Sequence, residues 1–119
     1  NDPGYPDTGK QYPDSLKFAK IFTQKMQSMG RKPCTYPEEN PDRENYHVID
    51  LSMGIYNSRH LLTVLRNATM LAVLIEAGVI VDAEDEKVVS SRSFIIRFAR
   101  ALSESIDQFF DREAFPARE

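Results

Sequence analysis

The sequence predicts an all-α fold: a compact helical bundle of three main helices plus one or two short ones, with a proline-rich N-terminal arm and a proline-rich loop. Three observations predict it. Two stretches, about Ser58–Ala77 and about Ser93–Phe110, carry most of the long aliphatic residues at helical spacing. A third, about Asp14–Met29, is bracketed by Pro13 and Gly30, residues that start and stop helices. The prolines fall outside all three.

Residues 1–13 hold Pro3, Pro6 and Pro13 among Gly4, Gly9, Tyr5 and Tyr12, which excludes helix and central strand and reads as an extended arm. Residues 14–115 read as one helical domain. In its first helix Asp14 or Ser15 is the expected cap. Leu16, Ala19, Phe22, Met26 and Met29 form the apolar stripe, widened by Phe18 and Ile21. Between 31 and 46, Pro33, Pro37 and Pro41 recur every four residues and impose a long loop. Val48–Tyr56 is ambiguous between a short helix and an extended segment broken at Gly54.

The central helix is expected over Ser58–Ala77, capped by Asn57 or Ser58. Leu61, Val64, Leu65, Ala68, Leu71, Ala72 and Ile75 make its stripe, and Gly78 follows it. Asp82–Glu86 reads as a helix start, acids complementing the helix dipole, with Asp82 as cap. A hairpin is the competing reading, weakened by the lack of Gly or Asn in its turn. In the last helix Ile95, Phe98, Leu102, Ile106 and Phe109 step by three or four.

At 119 residues, with 41% hydrophobic and 28% charged residues, the chain is an ordinary globular domain able to bury a core. A net charge of −3 argues against a dedicated nucleic-acid binder. The lone Cys34 excludes an intramolecular disulfide, so a reducing, cytoplasmic compartment is the expectation, with an exported protein lacking disulfides as the alternative. There is no initiator Met, so residue 1 reads as a processed end or the edge of a fragment. Leu61–Val81 is long enough for a membrane span, but Arg66, Asn67 and Glu76 make that costly. No membrane association is expected.

No chemical signature stands out. His47, Asp50 and His60 lack the spacing of a metal site. Cys34 lies near Arg31 and Lys32, which would acidify it, but has no base beside it in sequence. Glu84, Asp85 and Glu86 lack the alternation and glycine of a calcium loop. Asn67-Ala68-Thr69 matches a glycosylation sequon inside an expected buried helix. Phosphate-binding and nucleophile-elbow glycine patterns are absent. No catalytic residue, metal or cofactor is therefore expected.

These observations point to a non-catalytic, self-associating protein–protein interaction module with a scaffold, adaptor or regulatory role. Its expected contacts are Tyr5 and Tyr12 on the arm, Lys17, Lys20 and Lys25 on the basic first helix, and Arg31 and Lys32 beyond it. Its partner is a protein or a second copy. The alternative is a nucleic-acid-binding regulator using that basic helix or the Arg59–Asn67 face. In that reading Leu71–Ile80 leads into a winged hairpin, whose acidic tip at 82–86 phosphate would repel.

Overall fold

A computed structural model describes residues 11–35, 47–58 and 62–110. The chain divides into two compact units, residues 1–73 and 74–119.

In the first unit, helix α1 spans Tyr12–Ser28. It starts two residues before the expected boundary, so Tyr12 belongs to the helix and not to an arm. Pro13 sits in the first turn, where its missing N–H would have had no helical partner. Gln11 is the N-cap, with no side-chain capping bond. The expected cap, Ser15, lies inside the helix and its hydroxyl is used elsewhere. The C-terminus closes as a Schellman motif: Arg31 N–H donates to the Met26 carbonyl (3.1 Å) and Gly30 N–H to that of Gln27 (2.9 Å). Gly30 takes the left-handed conformation this requires, at φ 84°. The buried face is Phe18, Ile21, Phe22 and Met26. Leu16, Ala19 and Met29, on the expected stripe, are half-buried.

The ambiguous segment is a hairpin. Strand β1, His47–Asp50, pairs antiparallel with β2, Ile55–Asn57, with a slip in register between Val48 and Asp50. A short 3-10 turn, Leu51–Met53, connects them. The Asp50 carboxylate builds that turn, accepting from the Ser52 hydroxyl at 2.6 Å and from Met53 N–H at 3.2 Å. Gly54 closes it at φ 65°, and a Cβ there would stand 3.1 Å from Pro33 Cβ. Both backbone and space demand glycine. Two bonds tie the hairpin to neighbouring elements: Tyr56 Oη donates to the Cys34 carbonyl (2.8 Å) and Gln27 Nε2 to that of Ser52 (2.9 Å).

The expected central helix is the largest correction. Among the described residues of that stretch only Thr63–Asn67 is helical (α2), and residues 68–79 run without helix or strand. The expected caps are not used: Asn57 lies in β2, and the N-cap of α2 is Leu62, with no capping bond. The physical reason is specific. In a continuous helix Ala72 N–H would donate to the Ala68 carbonyl. Here Gln11 Nε2 donates to the Ala68 carbonyl at 2.6 Å, and Ala72 N–H donates to Ser15 Oγ at 3.1 Å. Both ends of one helical bond are thus taken by the start of α1. The β-branched residues of Val73–Val81 and Gly78 weaken helix further. The described residues therefore mix helices with a two-stranded sheet.

In the second unit, α3 spans Ala83–Val89. Asp82 caps it as the acidic run predicted, accepting from Glu84 and Asp85 N–H at 2.9 and 3.0 Å. Helix α4, Arg92–Phe109, is capped by Ser91, whose Oγ accepts from Phe94 N–H at 3.1 Å. Its buried residues are Phe94, Ala101 and Ser105, and the Phe94 and Phe98 rings lie 5.7 Å apart. The inward face is thus turned from the expected stripe, and Ile95 and Ile106 are exposed. Ser105 is fully buried because its hydroxyl donates to the Ala101 carbonyl (2.7 Å), which removes the cost of hiding it.

Candidate functional site

Of the residues expected to bind a partner, those described lie along α1 and just after it. Tyr5 lies outside the described residues. Tyr12 is half-buried at the start of α1. Lys17 and Lys20 are exposed on α1 and Lys25 is half-buried. Arg31 and Lys32 follow the helix, Arg31 half-buried as part of the Schellman closure. On the alternative face, Arg66 and Asn67 end α2, while residues 59–61, including Arg59 and His60, lie outside the described residues.

Among the described residues, no three His, Cys, Asp or Glu side chains are placed to hold a metal ion. His47 begins β1, and Asp50 is committed to the turn it builds. The Ser52 hydroxyl bonded to Asp50, with help from Met53 N–H and the charge of Lys20, holds its carboxyl below the usual carboxylate range. That makes Asp50 a weak base. Cys34 is exposed, and its carbonyl, not its thiol, accepts the Tyr56 bond. No helix among the described residues is long and apolar enough to cross a membrane.

A hydrolytic site needs a carboxylate or imidazole that is open to water and not consumed by structure. Asp82 caps α3, Asp85 accepts from Val79 N–H, and Glu84 pairs with Lys87 at 3.1 Å. Asp14 and Glu86 sit in helix first turns, where the dipole accounts for them. Asp107 and Glu104 lie on the exposed side of α4.

Glu76 differs from Asp82, Asp85 and Glu84 in that no bond among the described residues occupies its carboxylate, and from Asp14, Glu86, Glu104 and Asp107 in lying outside any helix. From Ala68 to Val81 it is the single ionisable residue. It is exposed, although Ile75 and Ala77 beside it are half-buried. No hydrogen bond or ion pair occupies its carboxylate among the described residues. It stands in an irregular stretch of the second unit where the Asp85 carboxylate accepts from Val79 N–H at 3.0 Å. An accessible carboxylate on a fixed backbone among apolar neighbours can accept a proton from water. Sequence reasoning counted Glu76 only as a charge opposing membrane insertion. The signal that could have found it is its isolation in an apolar run.

The family described as N-acetylmuramoyl-L-alanine amidase matches the chain over residues 5–108. No curated protein and no solved structure matches it. The family match overturns the expectation of a non-catalytic interaction module, its nucleic-acid alternative, and with them the scaffold and adaptor roles. An amidase family is a family of enzymes, and the want of a recognised motif was no argument against catalysis.

Proposed function

The chain belongs to the N-acetylmuramoyl-L-alanine amidase family, and on that premise we propose that it hydrolyses the amide joining the N-acetylmuramoyl carboxyl group to the amino group of L-alanine. Glu76 is the general base. Its carboxylate takes a proton from water as the oxygen attacks the amide carbon. The tetrahedral intermediate then collapses, the C–N bond breaks, and the proton passes to the departing alanine nitrogen. Products are the free muramoyl carboxylate and an alanine amine.

The observation that carries the assignment is the isolation of an exposed carboxylate in the Ala68–Val81 run. The substrate class moves the expected site of action to the cell wall. The cytoplasmic expectation rested on one thiol, which an exported protein without disulfides also accommodates. A partner in the form of protein or a second copy is not needed for this chemistry.

The test is incubation of the purified chain with an N-acetylmuramoyl-L-alanyl peptide, followed by mass spectrometry and amine labelling. The expected result is cleavage by one water at that amide, with a new alanine N-terminus. An intact substrate, or cleavage only at other bonds, would refute the proposal.

A further inference from the structure

We infer that Asp85 is a positioning residue for Glu76, an inference that rests on the general-base reading above. Asp85 is the third residue of α3, where a carboxylate ordinarily turns back to the cap N–H or simply complements the dipole. Here the cap N–H is already committed, donating to the Val79 carbonyl, while the Asp82 carboxylate accepts from Glu84 and Asp85 N–H. The Asp85 Oδ2 instead reaches six residues back, accepting from Val79 N–H at 3.0 Å. Asp82 N–H donates to the Val79 carbonyl at 3.0 Å, so Val79 is held at both its polar backbone groups. Val79 lies three residues after Glu76, in a stretch with neither helix nor strand to define its path. Glu76, Val79 and Asp85 belong to the same compact unit.

The consequence is geometric. A general base works only within hydrogen-bond reach of the attacking water, and small misplacements are costly. Among the described residues Glu76 lies in neither helix nor strand, so the grip on the residues after it bears directly on its location. A charged acceptor on a backbone N–H is the stronger kind of such grip. It also joins the reactive stretch to α3, so that the helix start and the base move as one piece.

The experiment compares wild type, Asp85→Ala, Asp85→Asn and Glu76→Gln on an N-acetylmuramoyl-L-alanyl peptide, with amide exchange at Val79 measured in parallel. Asp85→Asn keeps an acceptor oxygen without the charge. Expected for Asp85→Ala is lost protection of Val79 N–H and a fall in kcat of about tenfold or more at unchanged KM. Asp85→Asn should stay within about threefold of wild type, since a neutral bond replaces a charged one. Unchanged kcat in Asp85→Ala alongside an inactive Glu76→Gln would overturn the positioning role and leave the base assignment standing. Retained Val79 protection in Asp85→Ala would overturn it too. If wild type itself gives no turnover, the functional reading falls. The inference is then decided by Val79 exchange and the Glu76 carboxyl-carbon resonance: both change in Asp85→Ala if it holds, and if either stays as in wild type it fails.

Discussion

Replacing Ser15 by alanine tests why the 58–77 stretch is not one helix. The Ser15 hydroxyl accepts from Ala72 N–H at 3.1 Å in a half-buried setting, and Gln11 Nε2 donates to the Ala68 carbonyl at 2.6 Å. Ser15→Ala leaves the Ala72 N–H without that acceptor, which costs about 1–3 kcal/mol when water cannot fully replace it. Half-burial places the expected loss near the lower end, about 1–2 kcal/mol. Gln11→Ala frees a carbonyl, which water satisfies more easily, so about 0.5–1.5 kcal/mol is expected. The two anchors hold residues four apart, so their effects should not add: once one is gone, the other has less to hold. Urea denaturation of both single variants and the double variant gives the three values and the coupling. Amide exchange at Ala72 reports the bond itself. Ser15→Ala with unchanged stability and unchanged Ala72 protection would refute the reasoning, because the bond would then not be what stops the helix.

Three further outcomes follow from the same geometry. A peptide of residues 58–77, removed from α1, should become helical in trifluoroethanol; a peptide that stays unstructured by circular dichroism would mean local preference, not the α1 clamp, breaks the helix. Asp82→Ala removes the acceptor for Glu84 and Asp85 N–H and should cost about 0.5–2 kcal/mol in thermal or chemical unfolding, with Asp82→Asn losing much less. At Asp50 the folded state lowers the carboxyl below its usual range, so the stabilisation is present at neutral pH and is lost as pH falls through that lowered value. Ser52→Ala removes the largest cause, and an NMR titration should show Asp50 protonating at higher pH than in wild type; an unmoved titration would contradict the cause assigned.

What the sequence revealed, and what it hid, divides along local and non-local physics. The Gly30 termination, the Asp82 cap and the 92–109 helix are set by residues within a few positions of each other, and each was legible. The hairpin was half legible: Gly54 marked the break, but the Asp50–Ser52 turn chemistry was not foreseen. The central helix was misread because apolar periodicity cannot separate a buried helix from another buried element. Its outcome was decided by Gln11 and Ser15, each 57 residues away in sequence from the group it holds. The inward face of α4 was misjudged for a related reason: Ser105 reads as polar, yet it meets its own hydrogen-bond need within the helix. Of the site, Glu76 was in plain view but was weighed as a cost. A general base needs one accessible carboxylate in the right place, and no spacing pattern announces that.

The most direct test of the account is the rate of muramoyl–alanine amide cleavage by Glu76→Gln against wild type. Glutamine keeps the shape of the side chain but cannot accept the proton from water. The account predicts a kcat lowered by about a hundredfold to ten-thousandfold, with KM little changed and folding stability intact. A Glu76→Gln enzyme as fast as wild type would contradict it.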